Sequence, residues 1–201
     1  MASRLRPLTN NTPKCLLKIG ERSLLQRSMD ALIKNGITEF VIVTGYLHKM
    51  IENFVSGQYG NSIKVTFIHN EVYDSTNNIY SLWLARPEAE NEEILLLDSD
   101  LLYDPEIVTR VLANEAKNVL TLIRHELGEE EMKVVVDKEG SILEISKTCR
   151  PEDAAGESLG IEKMDSTFSR ALFGELDKMM NQEHLENKTV ETDFLRFFCT
   201  G

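Results

Sequence analysis

Three cations and two acids define the first chemistry to consider. Arg4, Arg6 and Lys14 lie on a short opening stretch stiffened by Pro7 and Pro13, in the order Arg4-Leu5-Arg6-Pro7-Leu8-Thr9 and then Pro13-Lys14. A guanidinium grips phosphate oxygens through a planar fork and an ammonium acts as a point charge, so such a loop can surround a triphosphate. On the charges alone, a solvated basic terminus is the simpler account. Farther along, Ile94-Leu95-Leu96-Leu97 runs straight into Asp98-Ser99-Asp100. Two carboxylates at the end of an apolar run can hold Mg²⁺, a hard ion that prefers oxygen ligands and keeps several waters. By itself a D-x-D pair is explained about as often by a solvated loop or a helix-capping Asp.

The elements that must position these residues follow from periodicity. Leu24, Leu25, Ser28, Met29, Leu32 and Ile33 share one helical face, and Gly36 stops that helix. Phe40–Thr44, ended by Gly45, reads as a buried parallel strand. His48–Val55 reads as a helix, Lys64–Ile68 as a strand, and Asn77–Ala85 as a short helix that asparagine can cap. Ile94–Leu97 is a third strand, Pro105 opens a helix, and Val119–Ile123 is a fourth strand. Lys133–Val136 and Ile142–Ile145, joined by Asp137–Gly140, predict an antiparallel hairpin. Leu159–Met164 can add a strand, and Ser166–Met180 is a closing amphipathic helix. The expected fold is α/β: a Rossmann-like, mostly parallel sheet flanked by helices, with a small antiparallel hairpin appendage. One domain spans 1–201, with the antiparallel insertion at about 128–163. Ligands of such sheets bind beyond the carboxyl ends of the strands, at Gly45-Tyr46, His69-Asn70 and Asp98-Ser99-Asp100.

Composition narrows the function classes. The chain has 201 residues and a formal net charge of −11. No basic stripe is left to follow a nucleic-acid backbone, so nucleic acid is excluded as a partner, whereas a local cationic pocket for a small anion is not. Cys15, Cys149 and Cys199 are widely spaced and form no C-x-x-C pair, which argues against zinc or a redox dithiol. Four scattered histidines show no metal spacing. No apolar run reaches the length of a membrane span, and no signal peptide is visible. The expectation is a soluble, cytoplasmic protein with no membrane partner. A homodimer is compatible with this reading.

Arg4-Leu5-x-Pro7-x-Thr9 followed by Pro13-Lys14 resembles the signature of the sugar-phosphate and phosphocholine nucleotidyltransferase family, in order and in spacing. Leu16-Leu17 and the helix from Leu24 follow as they do there. The resemblance makes Asp100, the second acid of D-x-D, the metal ligand, with Asp98 its less certain partner. Asn77-Asn78-Ile79-Tyr80-Ser81-Leu82 looks like the phosphocholine-type cytidylyltransferases in particular, which implies that Asn78, Tyr80 and Ser81 lie near nucleotide and acceptor. Gly45-Tyr46 matches a family G-Y, where a glycine lets backbone approach a ligand, although a plain turn glycine fits equally. Near Gly128–Lys133 the phosphocholine branch carries an aromatic residue suited to a quaternary ammonium. Met132 and Lys133 stand there instead, and Lys133 would repel choline and favour an anionic or hydroxylated acceptor.

The implied reaction is in-line displacement. A substrate phosphate oxygen attacks the α-phosphorus of a nucleoside triphosphate, CTP by preference, and pyrophosphate leaves. Arg4 would hold the β- and γ-phosphates, Lys14 would stabilise charge near the α-phosphate, and Mg²⁺ on Asp100 would bridge nucleotide and acceptor. Gly45, Tyr46 and Ser81 are the further nucleotide contacts, and Asn78, Tyr80 and Lys133 the acceptor contacts. The partners implied are a nucleoside triphosphate and a small phosphorylated alcohol, phosphonate or sugar. Family members begin with an apolar strand and a Gly-rich turn ahead of R-L, and end on a segment with a second metal-binding acid. The resemblance implies that both are lacking here, that Glu191 and Asp193 are tied to no role, and that the chain as it stands is inactive or poorly folded. Two other readings stay open: a glycosyltransferase, which also uses D-x-D, and a degenerate nucleotide-binding module without catalysis.

Overall fold

A computed structural model describes residues 5–181. The chain opens in turns and a 3-10 turn at Lys14–Leu16, then forms a small hairpin of β1 (Lys18–Ile19) and β2 (Arg22–Ser23). Ser23 caps α1 (Leu24–Lys34), its hydroxyl accepting from Gln26 N at 3.1 Å. Gly36, at φ 86°, turns the chain out of that helix. β3 (Glu39–Thr44), α2 (His48–Tyr59) and β4 (Lys64–His69) form a parallel crossover unit. There follow α3 (Asn78–Leu84), α4 (Arg86–Ala89), β5 (Ile94–Leu97), α5 (Glu106–Ala113) and β6 (Val119–Ile123). β7 (Lys133–Val136), β8 (Ile142–Ser146), β9 (Gly156–Met164) and α6 (Ser166–Asn181) complete the described elements.

The α/β class stands, with mixed pairing. β9 lies antiparallel to β5, β6 and β7, and β8 extends the sheet from β7. β5 and β6 are therefore parallel to one another but separated by β9. Among the described ladders, the expected parallel pairing is confined to β3–β4. Apolar runs mark strands well, but they do not say which strand will enter between two others.

Two helical layers cover the strands. Leu95 and Leu97 of β5, with Phe40 of β3, pack on Ala31 and Leu32 of α1 and Val108 of α5. Ile94 and Leu96 point to the opposite face, against Ile79 of α3 and the α6 core of Leu172, Phe173 and Leu176. Residues covered on both faces are ordinarily buried, yet all four of Ile94–Leu97 stay half-buried. The exposure comes through one edge. β9 pairs with one edge of β5, whereas between the other edge and β3 runs a groove of about 1620 Å³. Thr38–Val43 and Ile94–Asp98 form its two sides, while residues of α1 and α3 also line it. No helix among the described residues is long and apolar enough to cross a membrane.

Candidate active site

The carboxyl end of β5 is where the expected site residues meet. β5 ends at Leu97, but its ladder continues for one residue: Asp98 N donates to Gly160 O at 3.0 Å. Asp98 and Ser99 then turn into the mouth of the groove. Asp100 stands beyond them, with Oδ2 2.5 Å from Lys14 Nζ. The opening loop thus reaches across to the acids after β5. On its other side it is tied to the turn after β3, where Tyr46 donates its hydroxyl to Asn10 O at 2.6 Å. Arg4 lies outside the described residues.

Charge at this corner is unbalanced. Asp98 opens onto the groove and is solvent-exposed, yet the protein packed around it and the neighbouring Asp100 charge raise its carboxyl above the ordinary carboxylate value, against the pull of Lys14. Glu162, half-buried on β9, is pushed up to about 7, first by burial and then by Asp98. Cys15, next to Lys14, is buried, and that burial lifts its thiol to about 11, leaving it an inert packing group rather than a nucleophile. The donors around Asp98 and Asp100 are hard oxygens in a place where negative charge is already costly, which fits a magnesium-like ion. Among the described residues, no group of three or more His, Cys, Asp or Glu is arranged to hold a metal. Mg²⁺ asks less of a protein, because one or two carboxylates and substrate phosphates suffice.

The α3 segment contributes polar groups to the same groove. Asn77 caps the helix by accepting from Tyr80 N at 3.3 Å. Asn78 and Ser81 line the groove. Ser81 is fixed by Asn70, whose amide donates to Ser81 Oγ and to Thr76 Oγ1, each at 3.1 Å. Asn70 is 1% exposed and also accepts from Val72 N, so it ties the end of β4 to α3. Sequence reasoning marked Asn70 only as a residue after a strand; its burial had no local signal.

Other expected contacts lie elsewhere. Tyr80 does not line the groove; its ring tilts against Trp83 at 5.5 Å and packs on the α6 core. Lys133 is 1% exposed, and its ammonium donates to Gly128 O at 2.9 Å and Glu131 O at 3.2 Å. The structure therefore spends this charge on holding the 128–131 loop and does not bring it to the groove. A Cβ on Gly45 would fall 2.6 Å from Tyr73 Cβ, so the group that closely approaches this glycine is the Tyr73 side chain. Glu162, and Gly160 beneath Asp98, are the site neighbours that sequence reasoning missed. They lie on a strand distant in sequence, and only the β5–β9 register brings them here.

Comparison with known proteins bears on the family and the fold. The family model described as nucleotidyl transferase matches residues 1–145. Choline-phosphate cytidylyltransferase of Streptococcus pneumoniae is 33% identical over 101 residues, which are 50% of this chain and 42% of that protein. CTP:phosphoglutamine cytidylyltransferase of Campylobacter jejuni is 28% identical over 158 residues, 76% of this chain and 55% of that protein. The chain thus spans about half the length of these curated relatives. Among solved structures, a CTP:phosphocholine cytidylyltransferase from Streptococcus pneumoniae superposes with a TM-score of 0.72 at 22% identity, covering 97% of this chain and 79% of that one, a likeness of fold. A cation loop closing on a D-x-D strand end, the shared fold and the matched family model lead to one conclusion: the chain belongs to the nucleotidyl transferase family.

Proposed function

We propose that this chain transfers a nucleoside monophosphate, CMP in first place, from a nucleoside triphosphate to a small phosphorylated alcohol, phosphonate or sugar. The observation that carries the reading is the 2.5 Å contact of Lys14 Nζ with Asp100 Oδ2. It brings the phosphate-type loop and the metal-type acids to one strand end, where α/β sheets bind ligands. The preference for CTP rests on the Asn77–Leu82 segment and on the two cytidylyltransferase relatives.

An acceptor phosphate oxygen attacks the α-phosphorus. A new P–O bond forms as the bond to the β-phosphate bridging oxygen breaks, and pyrophosphate leaves with that electron pair. Such a displacement needs positioning and charge neutralisation more than proton transfer. Asp100 and Asp98 are the residues that would hold magnesium, which supplies positive charge against the phosphate oxygens. Lys14 neutralises Asp100 in this structure. Their side chains are 39% and 36% exposed, so the pair is worth at most about 1 kcal/mol and opens at little cost. Released, Lys14 offers its ammonium to the α-phosphate region. Asn78 and Ser81 line the groove and offer directional donors and acceptors to nucleotide or acceptor.

The test is pyrophosphate release in magnesium, screened over four nucleotides and a panel of phosphorylated alcohols, phosphonates and sugars. Pyrophosphate formed with CTP and one acceptor class is expected. Release of a nucleoside diphosphate from a nucleotide sugar instead would mark a glycosyltransferase. CTP binding without turnover on any acceptor would mark a non-catalytic module.

A further inference from the structure

Gly160 has three unusual properties that converge on one side chain. Its φ is 78°, in the left-handed region that side-chain-bearing residues avoid. It sits at an irregularity of β9, where Leu120 pairs with Glu162 and Leu122 with Ser158, so two steps along β6 match four along β9. An added Cβ would fall 2.5 Å from Asp98 Oδ2 and 3.1 Å from Asp98 Cγ. Thr121 fastens the bulge from the far side, its hydroxyl donating to Ile161 O at 2.9 Å. Asp98 N fastens it from the near side, donating to Gly160 O at 3.0 Å.

Bulges re-aim side chains and recur beside active sites. Here the bulge turns β9 backbone, bare of any side chain, toward the first acid of D-x-D. We propose that the Leu159–Gly160 bulge is the seat of the Asp98 carboxylate, and that Gly160 is a positioning residue that sets how Asp98 and Asp100 together face a hard divalent cation. The inference rests on the reading of Asp98 as a cation ligand. A larger residue at 160 fills the space that Oδ2 occupies and forces the Asp98 carboxylate out of its present position. Cation affinity then falls even though no ligand has been removed.

The experiment measures Mn²⁺ binding to the full chain by titration calorimetry, alongside thermal melting, for Gly160→Ala, Gly160→Asn, Asp98→Ala and the Asp98→Ala/Gly160→Ala double variant. Alanine adds both a Cβ and strain at positive φ. Asparagine adds the Cβ but tolerates positive φ, and so carries the test if the alanine variant does not fold. Both should weaken Mn²⁺ binding about 10- to 100-fold, as loss of ligand orientation does elsewhere. In the Asp98→Ala background the Gly160 change should weaken it no further, because contacting residues are not additive. Wild-type Mn²⁺ affinity in a folded Gly160→Asn protein overturns the positioning role while Asp98 remains a ligand. Wild-type affinity in Asp98→Ala overturns the ligand reading itself, and the positioning role with it.

Discussion

The two sides of β5 are built to different standards. Toward α6 and β9 the packing is closed: Phe173, Leu176 and Ile161 are fully buried, and Leu172 nearly so. Toward β3 it is open. Ile94–Leu97 are half-buried although helices lie over both faces, and Val41 across the groove is 39% exposed. Neither side is poor in apolar residues, so composition is not the cause. A strand between two others hides its edges as well as its faces, and β5 has that shelter on one side alone. The closed side supplies stiffness under Asp98 through β9, whereas the open side supplies the groove.

Truncating Phe173 to alanine should therefore produce the largest loss of stability, about 3–5 kcal/mol, since nothing around it can collapse freely. Leu95→Ala on the groove wall should cost markedly less, because part of that side chain already meets solvent. Denaturant unfolding of the two variants measures the contrast. Equal losses would mean that the groove wall is as well packed as the core.

Filling the groove is the converse experiment. An apolar strand and Gly-rich turn appended ahead of Met1 should pair between β3 and β5 along the apolar walls of the groove and leave its mouth at Asp98 and Ser99 open, because the opening loop already lies across the carboxyl ends of both strands through Tyr46 and Asp100. A gain of even 1 kcal/mol raises Tm by about 2–4 °C in a chain of this size. Hydrogen exchange should show new protection at β3 and β5 amides, and pyrophosphate release with CTP should increase. An appended chain that melts and exchanges like the original would show that the groove takes no strand.

A smaller effect belongs to Glu162. Its carboxyl titrates near 7 when folded, above its ordinary 4.5. The folded state thus holds this proton more tightly than the unfolded one. Its contribution is full at pH below 4.5 and is lost as pH rises to about 7. Glu162→Gln should remove that decline, leaving a melting temperature that changes less across the interval. If the variant keeps the wild-type slope, Glu162 is ionised and solvated in the folded protein.

Much of this was legible in the residues. Ile94–Leu97 and Val119–Ile123 form strands with the expected bounds, because a short apolar run ended by polar residues has few other solutions. Asn77 caps α3 through its side chain, and Pro105 stands immediately ahead of α5, as expected. The family resemblance implied that Lys14 and Asp100 serve one site, and the structure brings the two side chains into contact. What stayed hidden depends on contacts distant in sequence. Gly160, inside the expected Leu159–Met164 strand, shows nothing special until the β9 register sets it under Asp98. Lys133 reads as an acceptor contact, since nothing nearby announces that two carbonyls will bury its ammonium. The β1–β2 hairpin, two residues to a strand, is too short for alternation to reveal.

The most direct test of the Lys14–Asp100 corner as a catalytic centre is pyrophosphate release from CTP in magnesium, compared between the wild-type chain and Asp100→Ala. Asp100 stands at an exposed strand end and adds little to packing, so the variant should melt within a few degrees of wild type. The expected result is loss of metal-dependent release to background. Near-wild-type release in magnesium from a folded Asp100→Ala protein would contradict the placement of the reaction at the end of β5.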